Sequence, residues 1–342
     1  MMHFFQSKAL RVALLFILIL VSSISLYFWR WLNVPLNTAA DAPSTIELVS
    51  GDSLYRIGRQ YQYSLGLNHL RVWVAYARLV GLTEIKRGEY ELAASLTPVE
   101  LLRLLNSGDV KHRVVTLVEG IRLADALDVL NAISSSSALL VTPAEVRKTL
   151  AIAQENPEGW LYPDTYRYSK QTKAWDLIVQ SHNKMKSVLA QEWENRAEGL
   201  PYESAYEALI MASIVEKETG VAHERAAIAG VFVRRLEKRM RLQTDPTVIY
   251  GLGKQYRGDI KRSHLRKKTA YNTYTMHGLP PTPIALPGRD AIHAALHPAA
   301  GDSLYFVAKG DGSHQFSATL AEHEIAVRKY QLNRNSNYRS SQ

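Results

Sequence analysis

An uncharged apolar run near the N-terminus constrains this chain more than any other feature. The 18 residues from Val12 to Trp29, VALLFILILVSSISLYFW, contain no charged side chain. At about 1.5 Å per residue, a helix of this length is just long enough to cross the hydrocarbon core of a bilayer. Lys8 and Arg11 precede the run, and tryptophans close it, as is typical of a membrane interface. We therefore predict a transmembrane helix over residues 9–31.

A cleaved signal peptide is the competing interpretation of the same run. The residues at its end, YFWRWLN, are bulky, whereas signal cleavage needs small residues, so we favour an uncleaved anchor. The basic residues before the run favour a cytoplasmic N-terminus over residues 1–8, although Arg30 weakens the charge asymmetry. The rest of the chain is then expected to lie outside the cytoplasm.

Composition limits the chemistry and the partners of this chain. Its 342 residues, 46% of them hydrophobic, suffice for one large or two modest domains with real cores. The absence of cysteine excludes thiol catalysis, zinc–thiolate sites and iron–sulfur clusters. The formal charge of +9 suits nucleic acid or an anionic surface. Outside the cytoplasm a nucleic-acid partner is not expected, which leaves a lipid or cell-wall surface.

Changes in sequence character predict an α+β fold built from several segments. Residues 32–45 are small, polar and proline-containing, which is typical of a linker, and the last ten residues are predicted to be disordered. Strand, turn and helix signals alternate from Ile46. They predict capping boxes that start at Thr97 and Thr142, a hairpin in SLYFVAKGDGSHQFS and a closing helix over residues 318–332. The predicted segments are a small α/β module at 46–112, a connecting α/β region at 113–200, a larger mixed α+β domain at 201–332, and a tail at 333–342.

The stretch SIVEKETG, residues 213–220, contains two glutamates of different helical phase. Ser204 and Glu207 form a capping-box signature, so a helix is expected to begin there. At about 100° per residue, Glu218 falls within the apolar stripe and Glu216 on the outer face. An apolar setting raises a carboxyl pKa, as a general acid at neutral pH requires. An exposed helix end and a buried, paired structural carboxylate are the alternatives for Glu218.

Two polar and aromatic loops follow this helix. The segments RLQTDPTVIYGLG and TAYNTYTMHGLPPTPIALPG are stiff and rich in hydrogen-bonding groups, although ordinary loop punctuation would look similar. Such groups can bind sugar hydroxyl and acetamido groups, and tyrosine rings can lie against sugar faces. The candidate substrate-binding residues are Gln243, Asp245, Thr247, Tyr271, Asn272 and Tyr274.

Other chemistries have weaker support in the sequence. No HExxH, GxSxG or P-loop motif is present. His293 and His297 stand four residues apart, but no acidic third ligand is evident, so neither a metal nor another cofactor is expected. A basic cluster between Arg234 and Arg241 is interpreted as a solvated helix face, with contact to lipid head groups or an anionic polymer as the alternative.

Several long motifs occur in the order and spacing of a known family. The segments ASIVEKETG, ERAAIAGVFVRRL, MRLQTDPTVIYGLG, TAYNTYTMHGLPPTPI and SLYFVAKGDGSHQFS closely resemble the endolytic murein transglycosylases, also called the YceG-like family. The resemblance covers nearly the whole chain and is strongest over residues 211–316. The segment IELVSGDSLYRIGRQ also resembles the start of a LysM module, a small peptidoglycan-binding βααβ unit.

The resemblance implies a single-pass inner-membrane protein whose catalytic domain lies in the periplasm. It implies cleavage of the MurNAc-β-1,4-GlcNAc bond within glycan strands, without water, to leave 1,6-anhydroMurNAc ends. Glu218 matches the family's catalytic glutamate, the second of the EKE triplet. Termination of nascent strands and partners among the penicillin-binding synthases are further implications. A non-enzymatic, membrane-tethered scaffold that binds peptidoglycan is the alternative function.

Overall fold

The computed structural model describes residues 2–36, 44–49, 51–93, 95–133 and 140–332. The chain divides into two compact units: unit 1 is Met1–Arg113 with Tyr168–Gln171, and unit 2 is Val114–Arg167 with Thr172–Gln342. Helices and short two-stranded sheets are mixed in it, which agrees with the predicted α+β class. The predicted tail and residues 37–43 of the predicted linker lie outside the described residues, and the other predicted domain boundaries stay predictions.

The N-terminal helix α1, Met2–Leu32, contains the apolar run. Its segment Lys8–Leu32 is 25 residues long and apolar enough to cross a membrane, and none of its most apolar window is buried in the protein. Within the described ranges this is the one helix that meets both conditions. A single N-terminal helix compatible with a membrane anchor is therefore present.

Unit 1 surrounds a small core of its own. Strands β1, Thr45–Leu48, and β2, Gly88–Glu91, pair antiparallel, with Ile46 opposite Tyr90. The helices α2 and α3 connect these strands, so the order is β-α-α-β, and α4 follows. Trp73 lies fully buried at the centre and donates from its indole Nε1 to the carbonyl of Pro98 at 2.8 Å. The bounds of the three helices are Leu54–Leu65, Leu70–Leu79 and Pro98–Ser107.

Two leucines at the start of the predicted linker pack into this core. Leu32 and Leu36 are each only 5% exposed and pack into the core of unit 1. The amide of Leu36 also donates to the carbonyl of Leu96 at 2.8 Å. The small polar composition of the whole segment hid two leucines, which join the end of α1 to the core of unit 1.

Local capping signals place several helix ends as the sequence predicts. Thr97 and Thr142 each form a complete capping box with the glutamate three residues later. Ser204 caps the helix that begins at Ala205 by accepting from the amide of Glu207. The Glu207 carboxylate accepts from the amide of Glu203, so the capping box is incomplete. Caps are short-range interactions, so sequence spacing alone can predict them.

Unit 2 is built around helix α8, Ala205–Glu218. Every residue from 208 to 215 is buried, because α7, α9, α10 and α12 all pack against this helix. A helix buried on all sides has no solvent face. The bounds in unit 2 are β3 Arg113–Thr116, α5 Leu123–Asn131, α6 Pro143–Thr149, β4 Thr165–Tyr168, α7 Ala174–Glu194, α9 Arg225–Glu237, α10 Asp245–Leu252, α11 Arg262–Arg266 and α12 Arg289–Leu296.

The chain ends in the predicted hairpin and closing helix. Strands β5, Tyr305–Ala308, and β6, His314–Ser317, pair antiparallel with Phe306 opposite Phe316. Helix α13 spans Leu320–Val327 and continues as a π-helical turn over Arg328–Leu332. The helix predicted over 318–332 is thus present but changes its hydrogen-bonding pattern in its last turns.

Gly159 holds a close backbone approach in unit 2, and its substitution should be costly. Its φ is +84°, and a Cβ there would lie 2.5 Å from the Pro283 ring. We expect Gly159→Ala to lower the free energy of unfolding by about 3 kcal/mol, from positive-φ strain and overpacking together. Gly199→Ala is the matched control, because Gly199 has a φ of +73° but open space around it, so strain of about 1 kcal/mol alone is expected. Equal losses in denaturant unfolding followed by tryptophan fluorescence would contradict the close approach.

Candidate active site

Glu218 is the last residue of α8 and lies where the two polar loops meet. The next residue, Thr219, is extended and buried, so the helix ends at the glutamate. The hydroxyl of Thr244 donates a hydrogen bond to the Glu218 carboxylate. The side chain of Glu218 therefore points toward the protein at the helix end, on the side that its helical phase predicts. It is not an isolated exposed carboxylate.

The surroundings of Glu218 favour its protonated form. Glu218 as a whole is half-buried, but protein atoms crowd around its carboxyl. This desolvation, aided by the negative charge of Asp245, raises the pKa of Glu218 to about 7. The Thr244 hydrogen bond and the positive charge of Arg235 oppose the rise. Near neutral pH the group is present in both protonation states, which is what an acid that must later act as a base requires.

Arg235 is buried, which corrects its assignment to a solvated basic face. It is 7% exposed, and its guanidinium donates to the carbonyls of Leu304 at 2.7 Å and Leu242 at 2.9 Å, and to Oε1 of Gln243 at 3.3 Å. The hairpin strand β5 packs on helix α9 and covers this position. A charge pattern along one helix could not indicate that a distant hairpin would enclose one of its arginines.

Thr247 joins the two loops in this structure, and its expected sugar contact stays a prediction. It is fully buried, and its hydroxyl donates to the carbonyl of Thr244 at 2.8 Å and lies 2.9 Å from the hydroxyl of Thr273. Thr273 also accepts from the amide of Thr244 at 3.0 Å. These threonines join the two loops and hold Thr244 against Glu218.

Asn272 likewise organises a loop instead of facing a ligand. It is 1% exposed, and its amide nitrogen donates to the carbonyls of His264, Leu265 and Lys267 at 2.7–3.1 Å. Its side-chain oxygen accepts from the amide of Tyr274 at 3.0 Å. All its hydrogen-bonding groups are thus used inside the protein, and the expected direct sugar contact of Asn272 stays a prediction.

The remaining candidates surround Glu218 in different ways. Gln243 and Asp245 are exposed, and the hydroxyl of Tyr274 donates to Oδ1 of Asp245 at 2.7 Å. Gln243 adopts a positive φ of 52°, which turns the chain just before Thr244. Tyr271 is half-buried, and its hydroxyl lies 2.8 Å from that of Thr282. Gln243, Asp245 and Tyr274 therefore form the accessible polar part of the site.

Glu216 does not face solvent, which corrects the prediction made from helical phase. It is half-buried and accepts a hydrogen bond from the amide of Gly288 at 3.0 Å. Burial raises its pKa, and the charge of Glu119 adds to the rise. The helical wheel assigned this residue to an outer face, but α8 is enclosed by other helices and the side opposite the apolar stripe meets protein too.

A further buried carboxyl, Glu158, was missed by the sequence reasoning. It is 4% exposed, accepts from the amide of Leu123 at 2.7 Å, and accepts from the hydroxyl of Tyr250 on α10 at 3.1 Å. Burial raises the pKa of Glu158 to about 7. Arg122 also lies over the Tyr250 ring, 5.1 Å from its centroid. The aromatic segment EGWLYPDTYRY contained the only signal, an acidic residue at the edge of an apolar run.

An acidic third group lies close to the histidine pair, although none was evident from the sequence. Glu192 of α7 brings its carboxylate within 4.8 Å of ligand atoms of His293 and His297. Its Oε1 accepts from Nε of Arg289 at 2.7 Å, and its Oε2 lies 2.9 Å from Nδ1 of His293. The Arg289 guanidinium beside Glu192 would repel a metal ion. The group is therefore a network of polar contacts that joins α7 and α12.

With this geometry established, comparison with known proteins decides the family. The model of the YceG-like family matches residues 46–329, most of the chain. The chain belongs to the YceG-like family. A crystal structure of a yceG-like protein from Listeria monocytogenes aligns with a TM-score of 0.52 and 29% identity over 82% of this chain and 97% of that one.

Curated relatives of this YceG-like chain carry a functional name. The endolytic murein transglycosylase of Bacillus subtilis (strain 168) is 28% identical over 320 residues, which cover 88% of each chain. The endolytic murein transglycosylase of Streptococcus pneumoniae (serotype 2, strain D39) is 24% identical over 362 residues. That alignment covers 94% of this chain and 65% of the pneumococcal one.

The raised pKa of Glu158 should make the stability of this YceG-like chain depend on pH. A carboxyl whose pKa rises from about 4.5 to about 7 on folding stabilises the fold fully below pH 4.5 and loses that contribution as the pH rises through 7. Glutamine stays neutral at every pH. We therefore expect the fall in the free energy of unfolding with rising pH to be smaller in Glu158→Gln, by on the order of 2–3 kcal/mol. Denaturant unfolding between pH 4 and 8 measures it. An unchanged slope in the variant would show that Glu158 is not the titrating group.

Proposed function

We propose that this chain is a membrane-anchored, endolytic peptidoglycan lytic transglycosylase. It would cleave the MurNAc-β-1,4-GlcNAc bond within glycan strands and leave 1,6-anhydroMurNAc ends. The observation that carries the proposal is Glu218: a carboxyl with a pKa raised to about 7, held by one hydroxyl and bordered by accessible polar groups. The names of the relatives in Bacillus and Streptococcus support the same activity.

In the first step, protonated Glu218 acts as the general acid. It gives its proton to the glycosidic oxygen of the departing GlcNAc as the C1–O4 bond breaks, which leaves positive charge on the MurNAc ring. The enclosed setting keeps a useful fraction of the carboxyl protonated near neutral pH. A carboxyl of ordinary pKa would have lost its proton before the substrate arrived.

In the second step, the same residue acts as the base. The Glu218 carboxylate takes the proton from the C6 hydroxyl as its oxygen forms a bond to C1. One C–O bond breaks, one forms, and Glu218 regains its proton, so no water is consumed. Hydrolytic glycosidases need a second carboxylate to activate water or to attack the sugar. Here Glu158 and Glu216 each accept a backbone N–H inside the protein, which agrees with a one-carboxylate mechanism.

The accessible residues near Glu218 are the proposed substrate contacts. Gln243 and Asp245 would hydrogen-bond sugar hydroxyl or acetamido groups, and Tyr274 would hold Asp245 through its 2.7 Å hydrogen bond. Tyr271 would line the same region. Thr247 and Asn272 keep a supporting role, because their polar groups already bond to protein atoms.

The anchor and unit 1 complete the proposal. Helix α1 would span the inner membrane once, with a cytoplasmic N-terminus and both units in the periplasm, as its composition and the basic residues before it favour. The β-α-α-β order of unit 1 supports a LysM-like module that binds peptidoglycan. Tethering at the membrane suits termination of nascent strands beside penicillin-binding synthases.

Glu218→Gln should abolish the release of anhydro-ended products from purified sacculi while the protein stays folded. Glutamine preserves the shape of the side chain but has no transferable proton at neutral pH. Glu216→Gln is the matched control on the same helix, and since glutamine can still accept from Gly288, its activity should stay within a few-fold of wild type. Mass spectrometry of the muropeptides gives the readout.

That readout also separates the alternatives. Products heavier by one water would identify a muramidase, and binding to sacculi without new ends would identify a non-enzymatic scaffold. Full activity of Glu218→Gln would refute the catalytic assignment, whatever the products are.

The pH profile should shift in opposite directions in two neighbouring variants. If free enzyme needs protonated Glu218, kcat/KM falls as the pH rises through the Glu218 pKa of about 7. Thr244→Val removes a hydrogen bond that lowers this pKa, so the alkaline limb should move to higher pH. Asp245→Asn removes a negative charge that raises it, so the limb should move to lower pH. Shifts in the same direction, or none, would assign the limb to another group.

A further inference from the structure

The helical hairpin α2–α3 of unit 1 carries only positive charge. Residues 53–83 contain four arginines and neither aspartate nor glutamate. All four arginines are exposed, and within the described ranges no carboxylate pairs with Arg59, Arg71 or Arg78. Arg56 pairs with Asp52 at 3.5 Å. A cationic surface on which three of four arginines lack a carboxylate partner favours an anionic partner outside the chain.

The turn of this hairpin contacts the end of the apolar helix α1. The hydroxyl of Tyr27 lies 3.1 Å from Nε2 of His69, and the rings of Tyr27, Phe28 and Trp31 meet the His69 ring edge-on at centroid distances of 5.0–5.7 Å. These aromatic residues end the membrane-spanning run, where interfacial rings belong. If α1 spans the bilayer, the turn between α2 and α3 lies at the depth of the lipid head groups.

A polar cleft opens at the same place. Its volume is about 310 Å³, and Asn68, His69 and Arg71 line it together with Tyr55 and Gln62. Guanidinium, amide and phenol groups can all donate hydrogen bonds to phosphate oxygens. The cleft, the charge and the membrane-end helix thus coincide in one region of unit 1.

We propose that the α2–α3 turn binds the head group of an anionic phospholipid, with Arg71 as its principal contact. The proposal rests on the membrane anchoring proposed above. A lipid is favoured over an anionic glycan strand because His69, which lines the cleft, also contacts the aromatic end of the apolar helix α1. Bound lipid would fix unit 1 against the membrane surface and leave it little freedom to tumble on a tether.

Position along the hairpin distinguishes Arg71 from the other arginines. Arg71 is the second residue of α3, whereas Arg78 lies seven residues later, about 10 Å further along the helix at 1.5 Å per residue. Electrostatic attraction to a lipid surface falls off within a Debye length of about 8 Å. Arg78 is therefore a matched control with the same charge, the same helix and similar exposure.

Site-specific fluorescence on the full chain in nanodiscs tests the position. The chain has no cysteine, so single labels at Leu20→Cys, Tyr63→Cys and Leu79→Cys are unambiguous. Tyr63 is 93% exposed near the turn, and Leu79 is 85% exposed at the far end of α3. Lipids spin-labelled near the head group should quench the label at 63 and not at 79. Quenching of the label at 20 by mid-chain spin labels reports the anchor separately.

The lipid preference is tested with the label at residue 63. Spin-labelled phosphatidylglycerol should quench it more than spin-labelled phosphatidylethanolamine, and Arg71→Ala should lower that ratio about fivefold. Arg78→Ala should change it less than twofold. Equal ratios in wild type and Arg71→Ala would overturn the proposal, as would stronger shielding of the label by soluble peptidoglycan fragments than by lipid. Quenching of the label at 20 but not of the label at 63 would refute lipid binding by the α2–α3 turn and leave the anchor in place. An unquenched label at 20 would refute the anchor and this proposal together.

Discussion

The burial of helix α8 on every side is the constraint on which the rest of unit 2 depends. Because four helices pack around residues 208–215, the carboxyl at the end of α8 leaves the helix inside protein and not in water. Desolvation then raises the pKa of Glu218 to about 7. The same enclosure places Glu216, about 200° away around the helix, against protein, where it accepts from the amide of Gly288. Packing thus sets the chemistry of both glutamates.

Arg235 offsets part of that desolvation while it holds the loops in place. Its guanidinium satisfies carbonyls from two separate segments, at 242 and 304, and its charge lowers the pKa of Glu218 against the larger effect of burial. Removal of this charge would leave the loop carbonyls without donors as well. The residue therefore couples the position of the 241–244 loop to the protonation of Glu218.

Features that depend on near neighbours could be predicted from the sequence. The capping boxes at Thr97 and Thr142 and the final hairpin involve residues a few positions apart, and the structure confirms them. Contacts between residues 69 and 92 positions apart could not be predicted. Glu158 meets Tyr250, and Arg235 meets Leu304, through the tertiary fold alone. Polar loop residues gave the right region, but which of them point inward was decided by packing.

Three buried or half-buried carboxyls in unit 2 have raised pKa values, so a raised pKa alone does not identify the acid. Glu158 and Glu216 each accept from a backbone amide, which is fixed in place by its own segment. Within the described residues, the donor to Glu218 is a threonine hydroxyl, which can rotate as the carboxyl gains or loses its proton. The exposed Asp245 acts electrostatically on Glu218, and the exposed Gln243 directly precedes its partner Thr244. This rotatable partner and these accessible neighbours are what support the proposed role of Glu218 as the acid.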